Sequence, residues 1–297
     1  MTDYGHPITF GLSLYPSLNG LDETRQLARV ADAAGLDYLG IQDHAYNPDF
    51  LDAWTLITYL VAETERISLF PDVADLQLRL PSILVKAAAS LSVLSGGRIV
   101  LGVGGGASAD GIAAMGGIWR SRPDMVTFTE EALQIMRKAL AGGVVEVQGS
   151  QNIVGYEAGP VPAAAVPLWL GSQGPRMLAV TGRSSDGWVS PLSTYAPPAS
   201  VPASNRMIDD AATAAGRDPA SVRRIYNVVG AIGPTRGPGL SGDAATWIDT
   251  LSDWAVDLGF DTFIFWPTGR PLAQLEAFAS EVVPGVRERV SERRRQG

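Results

Sequence analysis

The strongest constraint on the fold is a repeated alternation of short apolar runs with amphipathic stretches. Runs rich in β-branched and aromatic residues predict strands at residues 8–14, 38–42, 67–73, 98–103, 168–170, 187–190, 223–232 and 260–266. Helical spacing of apolar residues, with Pro or Asp at the start and Gly at the end, predicts the intervening helices. These helices are residues 22–34, about 51–64, 81–95, 124–141, a short one from 175, 244–258, and a last one from about 271.

Strict alternation of apolar strands with helices predicts a parallel sheet covered by helices. Eight such units favour an α/β fold closed as a single (β/α)8 TIM barrel over a doubly wound open sheet. We expect one domain over residues 1–297, with loop insertions at the C-terminal face of the barrel, about 142–166 and 191–204, where Gly, Pro and Ala accumulate. In a barrel the chemistry lies just after each strand, so those residues are the candidates.

Composition excludes several functional classes. The chain has no Cys, which rules out disulfides, a thiolate nucleophile and Cys-ligated metals. A net charge of −8 argues against nucleic-acid binding, and the arginines within 287–295 are predicted to form a frayed helix end. Neither a leader pattern nor about 18 uninterrupted apolar residues occurs, so we expect a soluble, cytoplasmic protein without a membrane partner.

His44 is the one imidazole placed for chemistry. It directly follows the second predicted strand, whereas His6 precedes the first strand, at the opposite end of a barrel. Its alternative role is that of a turn residue hydrogen-bonded to Asp43 or to the next helix. Both lysines, Lys86 and Lys138, fall on predicted helices, which argues against a Schiff-base aldolase, and a single histidine at the mouth argues against a metal-dependent hydrolase.

Two carboxylates follow the third strand. In the segment Asp72, Val73, Ala74 and Asp75, either aspartate is a candidate general acid or base, or a cap of the following loop. The chemistry left open by these residues is that of a barrel with an organic cofactor, or of a hydrolase that uses Asp72, Asp75 and Asp110.

Glycine-rich turns follow the fourth and fifth strands. The first, Gly104, Gly105, Gly106 and Ala107, leaves backbone that a planar ligand or a phosphate could approach. It matches a dinucleotide-binding pattern by spacing, but further glycines interrupt the helix that this pattern requires. The second turn, with Gly171, Ser172, Gln173 and Gly174 ahead of Pro175, predicts either an anion site made of backbone N–H groups and a hydroxyl that face the mouth, or a tight structural turn.

These motifs, in this order, resemble those of the luciferase-like monooxygenase superfamily of flavin- and deazaflavin-dependent oxidoreductases. The resemblance covers about residues 8–287 and is carried by AGLDYLGIQDH, RLPSILVKAAASLSVLSGGRIVLGVGGG, PLWLGSQGP, GRSSDGW and DTFIFWP. It implies a TIM barrel, a homodimer, and hydride transfer between coenzyme F420 and a small organic substrate. An FMN-dependent monooxygenase of the same family is the alternative, and a non-catalytic flavin-binding homologue is a third possibility.

The resemblance also implies roles for particular residues. His44 would face the flavin edge and hydrogen-bond the substrate or deliver a proton. Asp72 and Val73 would form a bulge with a non-prolyl cis peptide bond that supports the ring together with Ala74, and Asp72 is a second catalytic candidate. The turns 104–107 and 171–174 would hold the ribityl chain and phosphate, and Arg176 and Arg79 would meet the polyglutamyl tail of F420.

The chain also departs from its resemblance to the sugar-phosphate dehydrogenases of this branch. Those enzymes carry a Glu where Ala107 stands here, so Asp75 or Asp110 would have to supply a second proton. Three aromatic residues are candidates for the substrate pocket: Tyr15, Tyr195 and Trp266.

Overall fold

The structure is a computed structural model and describes residues 3–234 and 237–296. Strands β1 to β12 are Thr9–Leu14, Tyr38–Ile41, Ser68–Pro71, Ala74–Asp75, Leu101–Gly104, Gly143–Gln148, Ile153–Ala158, Leu168–Gly171, Gly187–Leu192, Arg223–Ile232, Leu240–Gly242 and Thr262–Pro267. Helices α1 to α10 are Leu21–Ala33, Ala53–Val61, Pro81–Ser95, Ala109–Ala114, Arg122–Ala141, Pro175–Ser184, Val201–Ala214, Ala244–Leu258, Pro271–Ala277 and Val283–Gln296. A π-helical turn, Phe278–Val282, joins α9 to α10. In the part of the chain that the structure describes, none of the helices has the length and apolarity needed to cross a bilayer.

Parallel pairing in the order β3-β2-β1-β12-β10-β9-β8-β5-β4 builds the central sheet. β3 and β4 belong to one strand position, interrupted by Asp72 and Val73. The ring closes between β3 and the start of β5, because Leu69 N donates to Arg98 O at 3.0 Å and Val100 N donates to Leu69 O at 3.1 Å. The predicted TIM barrel is therefore confirmed, and the open-sheet alternative is wrong.

Side chains that alternate along the strands fill the barrel in layers. The central layer is apolar and fully buried, and its members are Phe70, Val100, Trp169, Val189, Ile225 and Ile264. Nearer the C-terminal ends of the strands, the barrel interior carries the mostly small or polar residues Ser13, Gly40, Asp72, Gly104, Gly171 and Asn227, together with Trp266. We call this set the upper layer. This layer lies directly above the packed apolar core.

The glycines of the upper layer accommodate the break between β3 and β4. A Cβ atom added to Gly104 would lie 2.6 Å from Val73 Cγ2, and one added to Gly171 would lie 2.8 Å from the same atom. A Cβ on Gly40 would lie 3.2 Å from the Asp72 carboxylate. The Asp72–Val73 peptide bond is cis, as the resemblance implied. Strands β2, β5 and β8 thus lack a side chain at the positions that face the bulge.

Local signals explain why the clearest helices have the predicted bounds. The Asp243 side chain accepts a hydrogen bond from Thr246 N at 2.9 Å at the start of α8, and Gly259, with φ of 77°, ends that helix. Likewise Pro81 begins α3, and Gly96 follows it with φ of 67°.

The predicted loop insertion at 142–166 is wrong in two respects. The segment is not a loop but an antiparallel hairpin of β6 and β7. It connects the end of α5 to the start of β8, so it lies at the end of the barrel opposite the mouth. The hairpin folds back along α3 and α5. Lys86 and Lys138 donate to its Gly159 and Glu146 carbonyls, and the Glu131 carboxylate accepts the backbone N–H groups of its turn, which belong to Ser150, Gln151 and Asn152.

Two further boundaries differ from the predictions. The segment 191–204 is a loop only in part, since β9 extends to Leu192 and α7 begins at Val201. The C-terminal arginines are not a frayed end, because α10 continues to Gln296 and its guanidinium groups pair with carboxylates elsewhere in the fold. Arg293 pairs with Asp253 at 2.7 Å and Arg294 with Asp3 at 2.6 Å.

Candidate active site

Asp72 lies at the floor of the barrel mouth, where β3 ends. Its Oδ1 accepts a hydrogen bond of 3.3 Å from Asn227 Nδ2, while its Oδ2 is buried without a partner. Asn227 Oδ1 accepts a hydrogen bond of 2.9 Å from Trp266 Nε1, and this contact fixes the orientation of the amide. Burial raises the pKa of Asp72 to about 7, only partly offset by the Asn227 hydrogen bond. Near neutral pH this carboxyl can therefore hold or release a proton.

His44 lies in the loop after β2, half-buried at the edge of the mouth. Its Nδ1 is 2.8 Å from the Tyr46 hydroxyl, and its ring lies 6.2 Å from the ring of Phe50. Burial lowers the pKa of His44, although the neighbouring Asp43 carboxylate acts in the opposite sense. A neutral imidazole is thus held in place by Tyr46, with Nε2 left to donate to or accept from a ligand. His44 does begin a turn, since Asn47 N donates to its carbonyl at 2.8 Å, but its ring contacts Tyr46 instead of Asp43 or the next helix.

Asp43 belongs to the frame of the site. Its carboxylate receives two hydrogen bonds of 2.8 Å from Arg79 and one of 3.1 Å from Asp75 N. Arg79 also pairs with Asp52 at 2.6 Å, at the N-terminus of α2. These contacts tie the loop after β2 to the segment after β4, and they occupy the guanidinium that the resemblance assigned to the polyglutamyl tail.

The carboxylates of the hydrolase alternative have separate surroundings. Asp75 is buried, its Oδ1 accepts from Gln77 N at 2.8 Å, and burial together with the Asp43 charge raises its pKa to about 6. Asp110 is exposed in the first turn of α4. Asp72 contacts Asn227 instead of either of them. Within residues 3–234 and 237–296, Asp72, Asp75 and Asp110 therefore do not meet as the paired carboxylates that direct hydrolysis would use.

The turn after β5 is only partly open to a ligand. Gly104 faces Val73, and a Cβ on Gly105 would lie 3.1 Å from Met125 Sδ, so internal packing requires both glycines. Gly106, with φ of 99°, is also crowded, because a Cβ there would lie 2.9 Å from Ile112 Cδ1, so a ligand could approach only its backbone and the exposed Ala107. The Ala74 side chain is fully buried in β4, so it can support the bulge but cannot reach the mouth.

The turn after β8 exposes the start of α6. Gln173, Gly174 and Arg176 are exposed, Gly174 has φ of 74° with open space around it, and the helix begins without a side-chain cap. Its first N–H groups are therefore available to an anion. The predicted role of the Ser172 hydroxyl is wrong: this side chain is buried and shares a hydrogen bond of 2.8 Å with the Thr181 hydroxyl, away from the mouth.

The three aromatic candidates occupy different places. Tyr15 is exposed in the loop after β1 and packs edge-on against Phe50, with ring centroids 4.7 Å apart. Tyr195 is exposed after β9, and Trp266 is half-buried in the upper layer beside Asn227. Sequence reasoning missed Asn227 and Ser13, polar residues whose immediate neighbours along the strand are apolar or aromatic. That interruption of an apolar run was the available signal.

The family follows from these features together with sequence comparison. A profile of the luciferase-like monooxygenase family matches residues 3–238. With a closed barrel, a bulge after the third strand position and a glycine-lined mouth, the chain belongs to this family.

Individual relatives are more distant. The chain is 33% identical over 215 residues to the 5,10-methylenetetrahydromethanopterin reductase of Methanolobus tindarius, which covers 72% of this chain and 63% of that protein. It is 30% identical over 193 residues to an F420-dependent glucose-6-phosphate dehydrogenase of Rhodococcus jostii, covering 61% and 57%. The matches therefore span less than two thirds of these relatives. Among solved structures, an F420-dependent secondary alcohol dehydrogenase with an F420-acetone adduct superposes with a TM-score of 0.82 at 18% identity, covering 95% of this chain and 99% of that one.

Proposed function

We propose that the protein is an oxidoreductase that uses coenzyme F420 and a small organic substrate. When bound, the cofactor would supply or take up a hydride at C5 of its deazaflavin ring. One observation carries the proposal: the Asp72–Val73 bulge enters the barrel over three glycines, directly below the loop that holds His44. The similarity to the F420-dependent glucose-6-phosphate dehydrogenase of Rhodococcus jostii supports the same cofactor.

The residues at the mouth fit such a cofactor. The floor offers an apolar surface at Val73 and an unpartnered carboxyl oxygen at Asp72. Gly106, Ala107 and the uncapped start of α6 would hold the ribityl chain and phosphate, with Arg176 at the outer edge. Backbone N–H groups at a helix start favour a phosphate by both hydrogen bonding and the helix dipole.

His44 is proposed to hydrogen-bond the reacting oxygen of the substrate. As a neutral imidazole fixed through Nδ1, it can pass a proton to or from that oxygen at Nε2. Ala107 is exposed at the place where the sugar-phosphate dehydrogenases of the family are expected to carry a Glu. Because that acid is missing here, we propose a neutral alcohol or carbonyl compound as the substrate.

An FMN-dependent monooxygenase is the second candidate. The observation that favours it is the commitment of Arg79 to Asp43 and Asp52, in a chain of net charge −8, which leaves few cations for a polyglutamyl tail. The solved structures of similar fold include a long-chain alkane monooxygenase. The homodimer and the cytoplasmic location remain predictions that size-exclusion chromatography and fractionation would test.

Titration of the purified protein with F420 and with FMN, followed by absorbance and fluorescence, tests the proposal. We expect tighter binding of F420, and turnover of the bound cofactor with at least one member of a panel of short alcohols and ketones. Preferential binding of FMN with oxygen consumption would support the second candidate. Binding of neither cofactor would contradict both, and binding without turnover would favour a non-catalytic flavin-binding protein.

A further inference from the structure

The loops after β1 and β2 are joined into one unit beside His44. Two backbone hydrogen bonds, of 2.9 and 2.8 Å, cross between the loops, next to an antiparallel bridge that pairs Ser17 with Phe50. The donors are Leu18 N and Leu51 N, and the acceptors are Asp49 O and Pro16 O. Because β1 and β2 both end at the mouth, this unit forms part of the edge of the mouth, and its backbone fixes the place of Phe50.

Aromatic rings connect this unit to the imidazole. The Tyr15 ring packs edge-on against Phe50, with centroids 4.7 Å apart, and the Phe50 ring lies 6.2 Å from the ring of His44. Tyr15 is 60% exposed, and Phe50 and His44 are half-buried, so each ring keeps some surface that a ligand can contact. Phe50 therefore places an apolar face beside His44.

The other neighbour of the imidazole leads to a second apolar surface. Tyr46 contacts Nδ1 of His44, and its own ring packs against α4, where a Cβ on Gly111 would lie 2.6 Å from Tyr46 Cγ. The segment that follows α4 exposes three large apolar side chains: Met115, Ile118 and Trp119. Both contacts of the imidazole thus lead to apolar surface at the mouth.

The charges on this side of the mouth do not favour an anion. The guanidinium of Arg79, in the loop after β4, is paired with Asp43 and Asp52. Asp43 directly precedes His44 in the chain. Anionic groups are usually bound by arginines that are free to form two hydrogen bonds with them. An anionic substrate would here meet a committed arginine and a carboxylate, whereas an uncharged apolar group would meet aromatic rings.

We propose that Phe50, supported by Tyr15, selects substrates that carry an apolar group next to the reacting oxygen. The inference rests on the proposed function, because His44 is the residue proposed to bind that oxygen. When the oxygen lies about 3 Å from Nε2, the carbon atoms next to it lie beside the imidazole, which Phe50 flanks. The substrate class is then an alcohol or carbonyl compound with a cyclic, branched or aromatic group, and not a short-chain or phosphorylated one.

A series of secondary alcohols that differ only in apolar size tests the inference. Each alcohol is oxidised to its ketone while F420 takes up the hydride, and initial rates give kcat/KM for isopropanol, cyclopentanol and cyclohexanol. Burial of one methylene group is worth about fourfold, so kcat/KM should rise by about tenfold or more along the series. Glucose-6-phosphate is the anionic comparison and should react more slowly than cyclohexanol. Equal or falling values along the series, or a preference for glucose-6-phosphate, would contradict the inference.

Variants of Phe50 identify the contact. Phe50→Ala should lower kcat/KM for cyclohexanol about tenfold more than that for isopropanol, while Phe50→Leu keeps an apolar side chain and should retain most of the preference. Tyr15→Ala removes only the exposed supporting ring and should reduce the preference in part, which keeps the test open if Phe50→Ala does not fold. Tyr59→Ala is the matched control, because Tyr59 is an exposed aromatic residue on α2, and it should leave the preference unchanged.

Imidazole NMR signals give a readout that does not depend on turnover. The chain has two histidines, His6 and His44, so His44→Ala assigns both sets of signals. Cyclohexanol should shift the signals of His44 and leave those of His6 in place, and Phe50→Ala should raise the concentration needed for that shift. Turnover of cyclohexanol without any shift at His44 would show that the substrate binds elsewhere and would overturn the inference.

The outcomes distinguish this inference from the function on which it rests. If F420 is reduced but the larger alcohols are not preferred, or if folded Phe50→Ala keeps the preference, Phe50 does not select the substrate, while the proposed function stands. If F420 binds and neither the alcohols nor their ketones react, the inferred substrate class is wrong. If the wild type does not bind F420, the proposed function fails and the inference fails with it.

Discussion

At the scale of single residues, environment gives three neighbouring aspartates different chemistry. Asp43 is neutralised by Arg79 and holds two loops together. Asp75 is fixed by backbone N–H groups, and burial raises its pKa to about 6. Asp72 meets only an amide, and burial raises its pKa to about 7. Residue type and spacing could not separate these roles, because each depends on which side chain lies opposite after folding.

Asp72 should make stability depend on pH in a way that Asp72→Asn removes. Between its unfolded pKa, 3.8, and its folded pKa, about 7, the native state binds more protons than the unfolded state. This residue therefore favours folding most at low pH, and that contribution is lost as the pH rises through 7. Asp72→Asn should be more stable than the wild type at pH 8 by up to roughly 4 kcal/mol, because one pKa unit corresponds to about 1.4 kcal/mol, and the gap should be less than half as large at pH 5. Urea unfolding at both pH values measures it, and a constant gap would contradict the assignment.

His44 should affect turnover far more than cofactor binding. His44→Ala should lower the rate with any compound that the wild type turns over by roughly a hundredfold to ten-thousandfold, as expected for loss of a proton-transfer group. Tyr46→Phe removes only the hydrogen bond to Nδ1 and should cost about fivefold. Because burial lowers the pKa of His44, its imidazole stays neutral until the pH falls below the range in which a histidine usually titrates. The activity should fall only at those lower pH values. Steady-state rates against pH check this, and a wild-type rate in His44→Ala would eliminate its catalytic role.

At the scale of secondary-structure elements, the bulge between β3 and β4 depends on glycines in other strands. The sequence shows Gly104 and Gly171 after two strands, and their nearness to phosphate-binding patterns suggested a ligand. In the structure both glycines face Val73. Either packing within the protein or access for a ligand could explain a glycine at these positions. The short distances to Val73 support packing.

Gly104→Ala should therefore destabilise the protein by displacing Val73. The added Cβ would lie 2.6 Å from Val73 Cγ2, and overpacking of this kind costs about 1 to 3 kcal/mol. Adding Val73→Ala should restore most of the loss, since the smaller side chain frees the space. Gly155→Ala on β7, where the added Cβ meets open space, is the control and should be nearly neutral. Denaturant midpoints of the wild type, both single variants, the double variant and the control test the coupling, and simple additivity of the two substitutions would argue against contact.

Sequence patterns predicted the elements of the barrel better than those of the hairpin. α8 and α3 carry apolar stripes with Asp or Pro at the start and Gly at the end, so local signals determine their bounds. β6 and β7 are mostly exposed, and the hairpin is stabilised by side chains of two helices, Lys86 of α3 and Lys138 and Glu131 of α5. A half-exposed hairpin in a glycine-rich segment leaves little apolar pattern to detect.

At the scale of the whole molecule, a buried ion pair joins three parts of the fold near the end opposite the mouth. Arg224 on β10 is fully buried and pairs with Asp209 of α7 at 2.6 Å. The Tyr4 hydroxyl also donates to Asp209, at 2.8 Å, and the Tyr4 ring lies 4.5 Å from the Arg224 guanidinium. The N-terminal segment is thereby attached to the barrel, independently of the candidate site.

Breaking this pair should destabilise the fold without changing the site. Asp209→Ala leaves the buried Arg224 charge without its partner, at a cost of roughly 3 kcal/mol. Combining it with Arg224→Met should recover much of that loss, because no unpaired charge remains. Asp210→Ala, an exposed neighbour, is the control. Thermal unfolding gives the stabilities, and cofactor affinity should remain at the wild-type value; a loss of affinity in the folded double variant would show that the two ends are coupled.

The sequence by itself determined the barrel, the family and the end of the barrel where the site lies, because alternating strands and helices, capped helices and strand-end motifs are local signals. Only the tertiary structure decided which polar groups meet. It turned Ser172 away from the mouth, committed Arg79 to Asp43 and Asp52, and brought Ser13 and Asp72 to either side of Gly40. The physical reason is that hydrogen bonding and desolvation depend on contacts between residues far apart in the chain, which only barrel closure and strand register create.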